Sequence, residues 1–250
     1  MISAAVDTER RLRRDLAAVY RLVDHFGLAD LIFTHISARL PGDRFLINPY
    51  GLLFDEITAS SLVEVGLDGL ALPGAAPVNP AGFVIHSAIH AARPDVGCVL
   101  HTHSRAGCAV AAQADGLLPL NQMAMEFWGH LGYHDYEGVA LDLGEQARLV
   151  ADLGDHDVMI LRNHGLLTVG DTPGRAFLRM FYLERSCQIQ IAAQSGGGPL
   201  VIPPRDVAER AGRQLNGEPV GDDYVDAGAY DLAWAALLRL ADRVAPGYDG

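Results

Sequence analysis

The chain of 250 residues contains no lysine, and all nineteen of its basic residues are arginine. This absence excludes Schiff-base chemistry on a lysine and the attachment of pyridoxal phosphate, because both need a primary amine. It also excludes the phosphate-binding lysine of a P-loop. If the protein stabilises a carbanion or an enolate, a metal ion is therefore the expected means.

Cysteine and positive charge are also scarce. Cys98, Cys108 and Cys187 are odd in number, widely spaced and set in apolar segments. This pattern predicts reduced core residues of a cytoplasmic protein rather than disulfides or a CxxC metal site. The net charge of -12 argues against nucleic acid or an anionic membrane as a partner. No apolar run is as long as a membrane span, and the polar start does not resemble a signal peptide.

Two short apolar runs end in histidine. Residues 96–100 lead into His101 and His103, and residues 157–161 lead towards His164. Such β-branched, uninterrupted runs predict buried strands, in which residues two apart point to the same face. Three imidazoles meeting at strand ends would form a catalytic metal site with one position open. The alternative is that each histidine is a hydrogen-bonded core residue. Strand tips followed by turns favour the metal site, because functional groups collect there.

The remaining pattern is that of a single α/β domain with a helical extension. Helices are predicted at 8–26, 80–92, 105–114, 145–153, 173–194, 205–215 and 229–244. Strands are predicted at 36–39, 44–47, 96–100, 131–133, 139–141, 157–161 and 166–169, with a hairpin within 63–72. We expect residues 1–195 to form the α/β domain, and 196–250 to be a linker and helical extension of the same domain.

Several separated segments resemble the class II aldolase/adducin family. They are residues 81–95 leading into His101-Thr102-His103, residues 133–138, and residues 161–167. The likeness extends over 12–194, and residues 48–54 and 58–62 are closer to the adducin head domain than to sugar-phosphate aldolases. The resemblance implies a three-layer α/β/α fold with a mixed central sheet. It also implies a homotetramer with metal sites near the subunit interfaces, where His101, His103 and His164 are the ligands.

The chain departs from the family pattern at three places. Gly82 stands where family aldolases have a glutamate that acts as acid/base or metal contact, so the ordinary proton-transfer group is missing. Residues 33–35, 48–51 and 79–81 correspond to phosphate-binding elements, and their bulky and ring side chains predict an unphosphorylated substrate. The long basic tail of adducin is absent, so its cytoskeletal role is not implied.

Other residues are candidates for the missing acid/base and for substrate binding. Glu126 stands in a mostly apolar stretch, and burial would raise its pKa towards neutrality, as suits a general acid/base. Related epimerases carry an acidic residue at a similar distance past the HxH motif; the alternative is a solvated surface glutamate. His130 is the next candidate. His35 can bind a substrate carboxylate, assisted by Arg105 through a bidentate pair, unless Arg105 is merely solvated.

His86 and His90 share one helix face at a spacing that can bind metal. Without a glutamate between them, they are predicted to pack against or orient the ligands of the HxH motif.

These patterns together predict a metal-dependent lyase that acts on a small unphosphorylated carbonyl or carboxylate compound through a metal-stabilised enediolate. Aldol cleavage and decarboxylation both pass through that species, and decarboxylation needs no initial base, which suits Gly82. Three imidazoles favour Zn, while Mn, Co and Fe(II) are alternatives. The rival hypotheses are a non-haem iron oxygenase using the same three histidines and a non-catalytic adducin-like assembly module.

Overall fold

A seven-stranded sheet organises the chain. The computed structural model describes residues 2–70, 74–139, 142–218 and 228–250. Its strands are β1 (His35–Leu40), β2 (Arg44–Ile47), β3 (Val63–Gly66), β4 (Cys98–Thr102), β5 (Leu131–His134), β6 (Val158–Leu161) and β7 (Gly165–Gly170). Its α-helices are α1 (Ile2–His25), α2 (Pro80–Ala92), α3 (Arg105–Ala111), α4 (Gln122–Met125), α5 (Gln146–Leu153), α6 (Pro173–Ser195), α7 (Arg205–Leu215) and α8 (Ala229–Val244).

The sheet is mixed, and its order is β3-β2-β1-β4-β7-β6-β5. Strands β5 and β6 pair in parallel, whereas the other neighbouring pairs within the described residues are antiparallel. The central strand β4 pairs with β1 on one side and β7 on the other. This places the end of β4 beside the first residue of β1 and the turn between β6 and β7.

Helices cover both faces of the sheet, and the alternation of side chains in β4 shows why. Cys98 and Leu100 belong to a core cluster with residues of α1 and α6, whereas Val99 belongs to a second cluster with residues of α2 and α5. Successive side chains of a strand point to opposite faces, so a strand that is apolar throughout needs cover on both. The predicted three-layer α/β/α fold with a mixed central sheet is therefore confirmed.

The structure corrects several local predictions. Residues 63–72 were expected to form a hairpin. β3 pairs with β2 and is followed by a turn in which the Gly66 amide donates to the Leu70 carbonyl oxygen at 2.9 Å, and residues 71–73 lie outside the described residues. The strand expected at 139–141 is not formed at Val139, and 140–141 also lie outside the described part. The short helix α4 was not predicted, because four residues carry too little periodicity to be recognised.

The C-terminal helices pack against the α/β layers. Helix α7 contacts α4, and α8 contacts α1 and α6. Ala241 and Tyr248 are buried in the same cluster as the core residues of α1 and α6. We infer that residues 196–250 extend the domain formed by 1–195. None of the helices in the described residues is both long and apolar enough to cross a membrane.

Candidate metal centre

Three histidine side chains converge at the end of β4. The Nε2 atom of His103 lies 2.9 Å from Nε2 of His101 and 2.9 Å from Nε2 of His164. One nitrogen from each ring lies within 4.8 Å of the others, and within the described part of the chain no other cluster of this kind is found. His101 is fully buried, whereas His103 and His164 are partly exposed. The cluster is thus open to solvent on one side.

Backbone geometry brings His164 to the other two rings. His164 follows the tip of β6, in a turn where Asn163 has a φ of 56°. Asparagine tolerates this left-handed conformation better than most residues. Gly165 then begins β7, and a Cβ atom there would overlap the carbonyl oxygen of Thr102 in β4. Glycine therefore permits the close approach of β7 to β4 that joins the two motifs.

Hydrogen bonds at the far side of two rings orient them. His101 Nδ1 lies 2.9 Å from the carbonyl oxygen of Leu166, so it carries the hydrogen and donates. His103 Nδ1 lies 2.9 Å from Oδ2 of Asp30 and donates to this carboxylate. In both rings Nε2 is then left without its hydrogen when the imidazole is neutral. This is the form that binds a metal ion, and the outer hydrogen bond fixes it.

The electrostatic environment keeps two of the rings neutral. Burial, followed by the neighbouring ring of His164, lowers the pKa of His101 well below its usual value. Burial and the ring of His103 lower the pKa of His164 to about 4. Since protonated imidazole has no lone pair to offer, these environments maintain the side chains as ligands at neutral pH.

Asp30 and Glu184 support the cluster but were not predicted from the sequence. Asp30 lies before β1 in a segment without a motif, and the next residue, Leu31, has a φ of 49°. Such a conformation is strained for leucine, and strained residues concentrate at functional sites. The buried carboxylate of Glu184 accepts hydrogen bonds from Ser104 Oγ at 2.5 Å and from the Gly107 amide at 3.0 Å. It therefore fixes the start of α3 directly after His103.

Replacing Asp30 with asparagine is expected to weaken metal binding by about 10- to 100-fold, the usual cost of losing an outer hydrogen-bond partner of a ligand. The neutral amide can no longer polarise the His103 ring as a carboxylate does. Competition with a chelating dye measures the affinity. Asp24→Asn, at an exposed position near the end of α1, is the matched control and should bind normally. Equal affinity of the two variants would contradict a role for Asp30.

The three imidazoles fit a divalent transition metal. Ligands of about 2.1 Å bond length lie roughly 3.4 Å apart in a tetrahedral site, so the two nitrogen separations of 2.9 Å need only a small widening to hold an ion. The cluster contains three neutral nitrogen donors and no carboxylate among the described residues. Such a set leaves at least one position for water or substrate, which is the pattern of catalytic rather than structural metal sites.

The fold does not bring Glu126 and His130 to the cluster of the same chain. Both line a cavity with Val158, the first residue of β6, whereas His164 lies beyond the last residue of that strand. A four-residue strand is about 13 Å long. The Glu126 carboxylate accepts a short hydrogen bond from Tyr230, and its burial raises its pKa, as expected from the sequence. Its catalytic role, and that of His130, stay predictions.

His35 and Arg105 both lie near the cluster, in different environments. His35 begins β1 opposite His101 in the register, and its ring centroid lies 5.0 Å from that of His101. It is buried, with 2% of its surface exposed. Arg105 begins α3 two residues after His103, and its side chain is exposed. Binding of a substrate by these two side chains stays a prediction.

His86 and His90, which were expected to pack against or orient the ligands of the HxH motif, make their hydrogen bonds to β1, and His86 also lies close enough to His101 for that ring to lower its pKa. Their rings are buried beneath β1, where His86 bonds to His35 and to Ser37, and His90 bonds to Ser37. Their separation of four residues in α2 predicted that they share one face of the helix, but it could not predict which strand this face covers.

Comparison with known proteins finds similar sequences over most of this chain. The family model described as "Class II Aldolase and Adducin N-terminal domain" matches residues 14–191. A Pseudomonas aeruginosa protein named "Putative aldolase class 2 protein" is 52% identical over 249 residues, which cover 99% of this chain and 94% of that protein. Alpha-adducin of Rattus norvegicus is 40% identical over 247 residues, covering 94% of this chain and 34% of adducin.

Solved structures with the same fold cover nearly all of the chain. An aldolase II superfamily protein from Pseudomonas syringae has a TM-score of 0.89 and 51% identity, covering 97% of this chain and 96% of that one. The L-fuculose 1-phosphate aldolase from Glaciozyma antarctica has a TM-score of 0.81 and 27% identity, covering 97% and 94%.

Proposed function

Because the chain belongs to the class II aldolase and adducin family, we propose that it is a metal-dependent lyase for a small unphosphorylated carbonyl or carboxylate compound. The reaction is aldol cleavage or decarboxylation. The observation that supports this proposal most directly is the convergence of His101, His103 and His164 at one point with a side open to solvent. A divalent ion bound there would supply Lewis-acid stabilisation of negative charge on substrate oxygens when a carbon–carbon bond breaks.

The choice of metal follows from the donor set. Three neutral imidazoles suit Zn, while Mn, Co and Fe(II) also accept nitrogen ligands. An oxygenase of the facial-triad type needs a carboxylate ligand, and none belongs to the cluster in the described residues. The carboxylate of Asp30 bonds to the outer nitrogen of His103 instead. These features favour the lyase over the iron oxygenase.

Two asparagine side chains bear on whether the substrate is phosphorylated. Asn48 and Asn79 lie in segments that correspond to phosphate-binding elements of family aldolases. The Asn48 side chain accepts a hydrogen bond from Tyr20 at 2.9 Å and is buried. The Asn79 side chain accepts from the Ala81 amide and thereby caps α2. Both oxygens therefore stabilise the fold. A phosphate would need the amide nitrogens as donors, and that of Asn79 lies 3.5 Å from the Phe33 carbonyl oxygen instead.

An assembled form is part of the proposal. Leu31 and Phe33 lie near Asp30 at the edge of the metal centre, and they expose 65% and 47% of their surface. Apolar side chains exposed beside a functional site are typical of an interface or a substrate pocket. We expect the homotetramer that the family resemblance implies, with a mass in solution of four times 26.8 kDa. A cytoplasmic location is proposed from the free cysteines Cys98, Cys108 and Cys187.

The lyase is tested with protein loaded with Zn, Mn or Co and then freed of excess metal. It is offered 4-hydroxy-2-oxo acids, which cleave to pyruvate and an aldehyde, and 3-oxo acids, which release CO2. Phosphorylated counterparts are included. We expect turnover of unphosphorylated compounds in the absence of O2, and a loss of at least about 100-fold in His164→Ala, because an active-site metal ligand is removed.

His25→Ala, at an exposed histidine of α1, is the matched control and should retain full activity. Turnover that requires O2 would replace the lyase with the oxygenase. Metal-loaded protein that turns over none of the compounds would instead support the non-catalytic assembly module, to which the 40% identity with alpha-adducin points.

A further inference from the structure

The ring of His35 fills the space beside Gly82, next to the metal centre. A Cβ atom built on Gly82 would lie 2.8 Å from Cδ2 and 2.9 Å from Cγ of His35. Real Cβ atoms do not approach other atoms so closely, so a side chain at position 82 and the His35 ring exclude each other. The centroid of the same ring lies 5.0 Å from that of His101. An imidazole therefore lies against both Gly82 and a metal-binding candidate.

The His35 ring belongs to a buried polar group without acidic partners. Its Nδ1 lies 2.8 Å from Nε2 of His86. The hydroxyl oxygen of Ser37 lies 2.5 Å from Nδ1 of His86 and 2.8 Å from Nε2 of His90. These four side chains are each at most 2% exposed, and their hydrogen bonds include no carboxylate. Burial disfavours a charged imidazole, so His35 is neutral at neutral pH, whichever way the hydrogens of these bonds point.

The cluster of metal-binding candidates also lacks negative charge. His101, His103 and His164 are neutral when their nitrogens bind an ion. No carboxylate oxygen of the described residues lies within 4.8 Å of all three ligand nitrogens. The carboxylate of Asp30 lies 2.9 Å from the outer nitrogen of His103, and this side chain is 45% exposed, so water screens its charge. A divalent ion bound there would therefore keep a net positive charge.

The acidic residues on the side of His164 are paired or solvated. Three of them line a small cavity that also includes His164, namely Asp135, Glu137 and Glu145. Glu137 forms an ion pair with Arg148. Glu145 lies 3.2 Å from Nε2 of His134, and Asp135 is exposed. None of these carboxylates belongs to the cluster of ligand nitrogens within the described part of the chain.

A divalent ion in such surroundings favours a ligand that brings its own negative charge. Charges attract more strongly beside a partly buried site than in bulk water, because the effective dielectric constant is lower. Arg105, the second residue after His103, adds positive charge, since it is exposed and forms no ion pair with another described residue. The open side of the metal centre is therefore electrostatically suited to an anion.

We propose that Gly82 and His35 are specificity-determining residues, which keep negatively charged side chains away from the metal so that the substrate's own carboxylate is bound there. The substrate class is a small carboxylate with a neighbouring oxo group, which can chelate an ion through both oxygens, and not a neutral hydroxyketone. This inference rests on the proposed function for the reaction, whereas the preference for an anion is a property of the metal-loaded chain alone.

The effect of the neutral surroundings is tested by adding a charge where the His35 ring lies. His35→Ala removes the ring, which contains the three atoms nearest to a Cβ at position 82, and Gly82→Glu then adds a carboxylate. Gly82→Gln in the same His35→Ala background is equal in size but neutral. The affinity of both Co-loaded double variants for oxalate is measured from the visible spectrum of the metal. We expect the variant with Gly82→Glu to bind this dianion about 10- to 100-fold more weakly, because the added charge repels it.

Imidazole, a neutral ligand, is the control probe. It should bind both double variants equally within about threefold, because it carries no charge for the carboxylate to repel. Melting temperature and metal content establish that both variants are folded and loaded. Equal affinity of the two loaded variants for oxalate would overturn the inference. An equal loss of imidazole binding would also overturn it, because the carboxylate would then act by occupying the open position and not by its charge.

The substrate class is tested on the unmodified, metal-loaded protein. Each 4-hydroxy-2-oxo acid is compared with the neutral ketone in which a methyl group replaces the carboxylate. We expect kcat/KM to be at least about 100-fold higher for the acid, since only the acid brings negative charge to the ion. Cleavage of both with equal kcat/KM would overturn this inference and leave the lyase intact. If neither is cleaved, aldol cleavage fails as the proposed function, and the oxalate comparison still decides the preference for an anion.

Discussion

His101→Ala is expected to reduce the metal content of the purified protein from about one divalent ion per chain to less than about a tenth of that value, because three ligands are the minimum for a catalytic site. Two imidazoles would remain to hold the ion. The carbonyl oxygen of Leu166 would also lose the hydrogen bond that it accepts from the His101 ring. Elemental analysis of protein dialysed against a weak chelator gives the measurement. His164→Ala should give the same result at a less buried position.

The control is again His25→Ala, in which an exposed histidine outside the cluster is removed. It should retain the full metal content, which excludes adventitious binding to surface histidines. Melting curves of the apo forms separate loss of a ligand from loss of the fold. If His101→Ala and His164→Ala fold and still hold a full complement of metal, the three histidines are not the site.

Tyr20→Phe is expected to lower the free energy of unfolding by about 2–5 kcal/mol, because two buried backbone donors lose their acceptor. The Tyr20 hydroxyl accepts from the amides of Ile36 and Asn48, each at 3.0 Å, and it is itself fully buried. It thereby links β1, at the residue after His35, to the residue that follows the end of β2. In a chain of this size the corresponding fall in melting temperature is about 5–15 °C.

The substitution isolates the hydroxyl group. The ring of Tyr20 packs edge-on against Phe54 at 4.6 Å, and phenylalanine preserves this contact. Tyr136→Phe, at an exposed tyrosine, is the matched control and should change stability by less than about 0.5 kcal/mol. Calorimetry or urea unfolding measures both variants. If Tyr20→Phe is as stable as Tyr136→Phe, water or backbone movement satisfies the two amides, and the hydroxyl is not an anchor.

The central sheet could be predicted because its strands are apolar on both faces. β4, β6 and β7 are fully buried strands. A continuous β-branched run predicts such a strand without knowledge of its neighbours. Two of the helices that cover the sheet, α2 and α6, also carry a local signal, because each begins with a proline after a capping residue. The turn expected at Asp68 is present, with the Gly66 amide donating to the Leu70 carbonyl oxygen, but a turn signal alone did not indicate that β3 would pair with β2.

The outer contacts of the metal centre could not be predicted. Asp30 is one of many surface-type acidic residues in the sequence, and its carboxylate reaches His103 only because α1 and the following turn place it there. Glu184 is buried in α6, and a polar residue on an apolar helix face was a signal that could have indicated it. Its partners Ser104 and Gly107 are about 80 positions distant, so no spacing rule connects them.

Glu126 shows how an environment can be predicted without its location. Its apolar neighbours correctly indicated burial and a raised pKa. They did not indicate that its carboxylate would face Tyr230 of α8 rather than the histidines of the same chain. The carboxylate accepts a hydrogen bond from this phenol, and its role in the proposed lyase stays a prediction.

The sequence by itself determined the family, the layered α/β fold and the three metal-binding candidates, because strand alternation and strand ends are local properties of the chain. It also determined that lysine chemistry is impossible. Only the tertiary structure decided that His35 fills the space beside Gly82, that His86 bonds to His35, and that Asp30 bonds to His103. These relations depend on which elements pack together over long sequence separations, and such packing leaves no periodic pattern in the residues involved.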